Sequence, residues 1–408
     1  MAKFYLKERQ NRRKRGKMEQ HLHVDVVIAG VGIGGLYTAI SLPADKKILM
    51  ICKDEMKICD SMLAQGGISV LRDEDDYDAY FEDTMRAGHY ENRKESVEIM
   101  IRGSRAVIDH LVELGVPFNR TPEGELQYTK EGAHSTARIC FYKDITGQAI
   151  TETLQNYVKE LSNVTILENT TMKDILVENS VCTGILAETR DGDKLIVHAA
   201  DTVLATGGIG GLYEHTTNYP SLTGDALTIA KKYGIRLEHM DYVQFHPTSL
   251  YRSTPGRSFL ITESARGEGA ILLNGKGERF TDELQPRDVV SKAILKEMEK
   301  EGSKHVWLSF ERVPKEEILS HFPNIYKKCL EEGFDIMKEP IPVVPAQHYF
   351  MGGIYVDSDS KTTMDHLFAV GETSCNGVHG KNRLASNSLL ESLVFAERAA
   401  KKIAAGKE

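Results

Sequence analysis

Val24-Asp25-Val26-Val27-Ile28-Ala29-Gly30-Val31-Gly32-Ile33-Gly34-Gly35 is the stretch that decides the fold. Its first six residues are mostly apolar and β-branched, which reads as a short strand; the glycines read as a tight turn and Leu36–Leu42 as a helix. In such a unit Gly30 permits the turn, Gly32 lets the backbone approach a pyrophosphate, and Gly35 lets the helix pack closely, while the helix N-terminus favours negative charge. G-x-G-x-x-G alone is a weak signal, but here the strand before it and the helix after it supply the context for dinucleotide binding. The next strand, Lys47–Ile51, ends at Cys52-Lys53, where a nicotinamide site would place an acid for a ribose hydroxyl. An ordinary NAD site is thereby weakened.

Working outward, residues 162–190 alternate strands with turns, and Leu195–Ala205 is an apolar strand running into Thr206-Gly207-Gly208. Leu367–Glu372 repeats that strand-into-glycine pattern, and Ser386–Glu391 opens an amphipathic helix reaching about Ile403. Residues 240–347 show helical patterns (287–300, 315–321, 324–333) and few long strands, with Pro340, Pro342 and Pro345 marking a return. The expected fold is therefore α/β. A second domain (240–347) reads as inserted into the first (21–239 and 348–408), and residues 1–20 read as a basic, disordered tail.

Composition narrows the class. At 408 residues, with 41% hydrophobic, 27% charged, 34 Gly and 12 Pro, the chain is ordinary globular protein of two or three domains. No apolar run approaches the ~18 residues of a membrane span. The six cysteines are scattered, with no CxxC pair and no secretory signal, which points away from disulfides and Cys-rich metal sites and toward a reducing, cytoplasmic setting. No histidine spacing suggests a metal site either. A net charge of −8 argues against general nucleic-acid binding, and an anionic substrate would need local positive focusing. Residues 1–17 run against this trend, with eight Lys and Arg against Glu8. They read better as a solvated tail, or as residues ahead of a start at Met18, than as a nucleic-acid or membrane contact.

Four further stretches make a resemblance specific: Ala64-Gln65-Gly66-Gly67, Gln244-Phe245-His246-Pro247-Thr248, Arg266-Gly267-Glu268-Gly269, and His379-Gly380-Lys381-Asn382-Arg383-Leu384-Ala385-Ser386-Asn387-Ser388-Leu389-Leu390-Glu391. With the glycine turn, they make the chain resemble, over about residues 24–405, the succinate dehydrogenase, fumarate reductase and L-aspartate oxidase flavoproteins, most closely the L-aspartate oxidase branch. The resemblance implies an FAD-binding Rossmann-like domain interrupted by an α+β capping domain, with the substrate held between them. Positions matching the family's flavin contacts are Gly30, Val31, Gly32, Ile33, Gly34, Gly35, Lys53, Asp60, Ser61, Met62, Leu63, Ala64, Gln65, Gly66, Gly67, Thr171, Met172, Asp225, Glu372, Ser388 and Leu389. Asp60 stands where the membrane-complex relatives carry the histidine bonded to the flavin, and a carboxylate offers no imidazole nitrogen. FAD is therefore expected to be non-covalent. Ala385-Ser386, where dehydrogenases usually carry Gly after the Leu, also favours the oxidase.

The implied activity is oxidation of L-aspartate to iminosuccinate, with oxygen or fumarate as acceptor, at the start of de novo NAD (quinolinate) biosynthesis and with hand-over to quinolinate synthase. The alternative is a soluble fumarate reductase or succinate dehydrogenase-type flavoprotein. Clamping a dicarboxylate suits arginine forks and histidine donors. The family match assigns Arg383, His348, His246 and Thr262 to this clamp, Arg287 to catalysis opposite the flavin, and Glu131 to the substrate ammonium. Phe141 replaces a usual histidine, the loop between Phe280 and Pro286 is shorter than in relatives, and the chain ends at Glu408 without the family's usual C-terminal helical domain. All the motifs lie upstream of that end.

Overall fold

The computed structural model describes residues 18–252 and 256–406. The expected tail over residues 1–17 lies outside the described residues. Strand β1 spans Glu19–Ala29, so Glu19 and Gln20 are paired strand residues and not tail; they lie opposite Lys194 and Leu195. Helix α1 is Ile33–Ser41 and β2 is Ile48–Ile51. Then come β3 (Val164–Leu167), β4 (Thr170–Glu178), β5 (Val181–Thr189) and β6 (Lys194–Leu204). The sheet order is β3-β2-β1-β6-β5-β4. Two segments share the far edge of β6, with β5 antiparallel along Lys194–His198 and Leu367–Ala369 parallel along Thr202–Leu204.

The apolar run in β1 is unbroken because both faces of its sheet are covered. Val26, Ile28, Ile48 and Met50 face a core shared with α1 and the helices Lys94–Glu113 and Asn387–Ala405. Val27, Ala29, Leu49 and Ile51, one residue out of phase, face a second core with β4, β5 and Leu367–Ala369. All eight are at most 2% exposed, so a one-residue slip would exchange the two cores' contents.

A third core draws only on residues 250–343. Around it lie β7 (Val243–Leu250), β8 (Ile271–Leu273), α2 (Arg287–Glu301), β9 (Val306–Ser309) and β10 (Ile341–Phe350). Two of these strands are long, and the prolines expected to mark a return lie at or inside the longer one. β10 is ten residues long and takes β7 along one edge and β9 on the other, although Pro342 and Pro345 lie inside it. A register shift between His246 and Ser249 sets Pro247 and Thr248 opposite Pro345, so the proline that cannot donate faces a bulge. β10 also joins the lobes, since Ile341 and Val343 belong to the third core and Phe350 to the second.

The glycine turn is held by close backbone approach. Gly30 has φ +123°, and a Cβ there would lie 1.9 Å from the Ala205 carbonyl oxygen. Gly30→Ala should therefore lower apoprotein stability in urea by about 2–4 kcal/mol, strain and overpacking together. A loss below about 0.5 kcal/mol would show that the turn relaxes freely.

Candidate active site

A cavity of about 470 Å³ runs from the glycine turn and Lys53, past Asp60–Gly67, to Arg287, Arg383, His246 and His348. At its glycine end, α1 begins at Gly32 with no side-chain cap and no acid in its first turn. Only the Ile33 N–H is engaged, by Ser61 Oγ at 3.2 Å, so the helix start keeps donors for an anion. Lys53 Nζ lies 2.5 Å from Asp225 Oδ2, 2.8 Å from the Ser221 carbonyl and 3.0 Å from Thr223 Oγ1. Gly35 does not line the cavity; it packs on the turn, where a Cβ would meet the Gly30 carbonyl oxygen at 2.3 Å. On β4, alternation sends Thr170 and Met172 to the cavity and turns Thr171 away.

Further along, Asp60 Oδ1 accepts from the Tyr219 N–H at 2.9 Å, and burial pushes its carboxyl up to about 7. Glu372 accepts from the Phe350 N–H at 2.9 Å, and burial, then the charge of Asp60, pushes it up to about 8. Ser61–Gly67, Ser388 and Leu389 complete this wall. Asp60 Oδ2 and Gln65 Oε1 have no protein partner. A long cleft with anion donors at one end and orphaned polar atoms along its wall fits a bound dinucleotide such as FAD, which would satisfy those atoms.

At the other end the cap contributes most of the groups. Arg287, first residue of α2, donates from Nε to Glu263 Oε2 at 2.5 Å and from Nη1 to Gln244 Oε1 at 3.0 Å. It does not pair with Asp288, which faces His89 and Lys292. Glu263 also faces Arg266 at 3.5 Å; burial alone would raise its carboxyl, but the two guanidiniums hold it below the usual range. Arg383 donates to Ser388 Oγ at 2.8 Å, stacks 4.4 Å over the Tyr349 ring, and leaves Nε unpaired. Burial, then repulsion from Arg287, brings it down to about 10.

His246 Nδ1 accepts from the Thr248 N–H at 3.2 Å, so the ring proton sits on Nε2, which is buried without a partner. His348 lies 5.2 Å away edge-on, with Nδ1 2.8 Å from Thr217 Oγ1. Burial, and then the neighbouring positive charges, hold both imidazoles well below their ordinary value, so they act as neutral groups and not as cations. Thr262 caps the short helix Glu263–Gly267 and faces the same space. Glu131 closes the site: Oε1 accepts from Ser264 Oγ at 3.1 Å and Oε2 from Ser386 Oγ at 2.5 Å. Burial, then Glu263, raises its carboxyl, against the lowering effect of Ser386, Arg287 and Ser264.

Sequence reasoning assigned no role to Glu263, Gln244, Arg266 or Ser264, although all four lie in or beside the recognised stretches. The available signal was their position in those stretches; Glu263 and Arg266 face each other three residues apart, but the partners Arg287 and Glu131 come from distant segments. Among the described residues, no group of three or more His, Cys, Asp and Glu is placed to hold a metal ion.

Comparison with known proteins agrees with this geometry. The profile of the FAD binding domain matches residues 25–389. The L-aspartate oxidase of Clostridium perfringens is 49% identical over 380 residues, covering 93% of this chain and 86% of the relative. That of Pseudomonas aeruginosa is 40% identical, covering 94% and 75%. Among solved structures, E. coli quinol fumarate reductase superposes with a TM-score of 0.88 at 31% identity, covering 95% of this chain and 72% of that one. With a dinucleotide cleft meeting a cluster of buried arginines, and relatives this similar over nearly the whole chain, the protein belongs to the L-aspartate oxidase family of FAD-binding flavoproteins.

Proposed function

We propose that the protein is an FAD-dependent L-aspartate oxidase that converts L-aspartate to iminosuccinate at the first step of de novo NAD biosynthesis. The observation that carries this reading is one cavity in which a dinucleotide cleft meets Arg287, Arg383 and His246, with a buried carboxylate, Glu131, beside them. Residues 240–347 act as the cap over the FAD-binding lobe. FAD is held without a covalent bond along Val31–Gly34, Lys53, Asp60–Gly67, Asp225, Glu372, Ser388 and Leu389. When bound, FAD would supply the acceptor for the Cα hydride, with oxygen or fumarate as the terminal acceptor.

The chain's own residues bind, orient and handle protons. Arg383 receives one substrate carboxylate while Ser388 and Tyr349 hold its guanidinium in place. The other carboxylate meets Arg287, the His246 Nε2–H and Thr262. Because Glu263 and Gln244 engage Nε and one N–H of Nη1, Arg287 keeps both Nη2 hydrogens and the second Nη1 hydrogen for substrate. Glu131 takes the ammonium and is the carboxylate nearest to accept its proton, which must leave before the nitrogen lone pair can expel hydride. In the reverse sense, Arg287 protonates the carbanion-like centre formed from fumarate and regains a proton from solvent, with ionised Glu263 beside it favouring the charged guanidinium.

Among the described residues no helix is long and apolar enough to cross a membrane. All six cysteines are free thiols, which fits a cytoplasmic setting. Iminosuccinate is unstable, which favours direct transfer to quinolinate synthase.

The test is anaerobic addition of L-aspartate to the yellow holoenzyme, which should bleach the flavin; acid precipitation of the same sample should leave the colour in the supernatant. No bleaching would remove aspartate as the donor. Arg287→Leu should retain FAD and lose fumarate reduction by roughly three orders of magnitude or more, since a proton donor and a facing charge go together. Near-normal turnover in that variant would move the role elsewhere, His246 first.

Glu131→Gln should weaken aspartate kcat/KM by roughly 10- to 100-fold and leave fumarate reduction unchanged or improved, because fumarate carries no ammonium. Equal losses in both assays would make Glu131 structural.

A further inference from the structure

The structure assigns Ser264 as a positioning residue for amine recognition: from the cap, its hydroxyl orients the Glu131 carboxylate and keeps it available to the substrate ammonium. This rests on the functional reading above and extends it to a residue that does not line the substrate cavity. The two serines reach Glu131 from opposite sides. Ser386 Oγ accepts from the Gly67 N–H at 3.3 Å, which turns its proton toward Glu131 Oε2. Ser264 Oγ donates to Oε1 at 3.1 Å, and its own N–H donates to Thr262 Oγ1 at 3.4 Å, which leaves the Thr262 hydroxyl proton free for the substrate carboxylate. Thr262, Ser264 and Glu131 therefore join a clamp residue for the substrate carboxylate to the acceptor for the substrate nitrogen.

The partners come from different parts of the chain. Thr262 and Ser264 belong to the cap, at the start of the helix Glu263–Gly267, whereas Glu131, Gly67 and Ser386 belong to the other lobe. The Ser264 bond to Glu131 thus exists only with the cap seated. The charged groups that face Glu131 are Glu263, which opposes its ionisation, and Arg287, Arg266 and Arg383, which favour it. A carboxylate that accepts two hydroxyl protons is stabilised in its charged form, and removing one donor favours the neutral acid, which cannot pair with an ammonium.

The experiment compares wild-type, Ser264→Ala and Ser264→Thr holoenzymes, measuring kcat/KM for aspartate oxidation and for fumarate reduction from about pH 6 to 9. In Ser264→Ala the acid limb of the aspartate profile should move up by about 0.5–1 pH unit, with a roughly three- to tenfold loss on that limb carried by KM. Fumarate reduction and the thermal midpoint should stay at wild-type values, and Ser264→Thr, which keeps the hydroxyl, should restore the limb. An unmoved limb, or equal losses for both substrates, would overturn the proposal while leaving aspartate oxidase activity standing. Absence of aspartate turnover in the wild-type enzyme would overturn the functional reading and this proposal with it.

Discussion

Three buried guanidiniums brought together around one cleft are the constraint on which the rest of this structure depends. Arg266, Arg287 and Arg383 are 2%, 7% and 5% exposed, and removing like charges from water costs several kcal/mol for each ion unless counter-charge is close. Glu263 supplies that charge to two of them, and its carboxylate stays ionised because they face it. Arg383 has no such partner: it rests on Tyr349 and Ser388, and repulsion from Arg287 adds to burial in drawing its proton affinity down. The cleft therefore lacks an anion that a dicarboxylate provides. A chain with net charge −8 meets the need for positive focusing locally and not through its overall charge.

That arrangement is available only where the lobes meet. The cap brings Gln244 and His246 on β7, Thr262–Arg266 in one turn, and Arg287 at the start of α2. The FAD-binding lobe brings Glu131, Arg383 and the wall that runs back to the glycine turn. β10 passes from the cap core to the flavin-lobe core and carries His348 across the boundary. Its Pro345 is tolerated because the bulge after His246 takes up the missing donor. The same irregularity holds His246 against the Thr248 N–H, which fixes its tautomer. One local defect in strand pairing thus serves both the fold and the site.

Much of the fold was legible because its determinants are local. The β-branched run, the glycine spacing and the helix after it lie within residues 24–42, and each element forms for reasons contained in its own segment. The family resemblance likewise assigned Arg287, His246, His348 and Arg383 to one site, and the structure lines one cavity with all four. The phase of β4 was less legible, since Thr170 and Thr171 are chemically identical and only pairing shows which one faces inward. The length of β10 was misjudged because proline disfavours a central strand, and the bulge that accommodates it belongs to another segment.

By itself, the sequence determined a dinucleotide-binding turn, two lobes, and which residue types were available for a dicarboxylate. Tertiary structure alone decided their ionisation and partners: Glu263 between two arginines, two neutral histidines, and Glu131 held by Ser264 and Ser386, 133 and 255 residues away in the chain. The physical reason is that proton affinity depends on burial and on charges within a few ångströms. Those neighbours come from segments that carry no mutual signal until the cap and the flavin lobe are packed together.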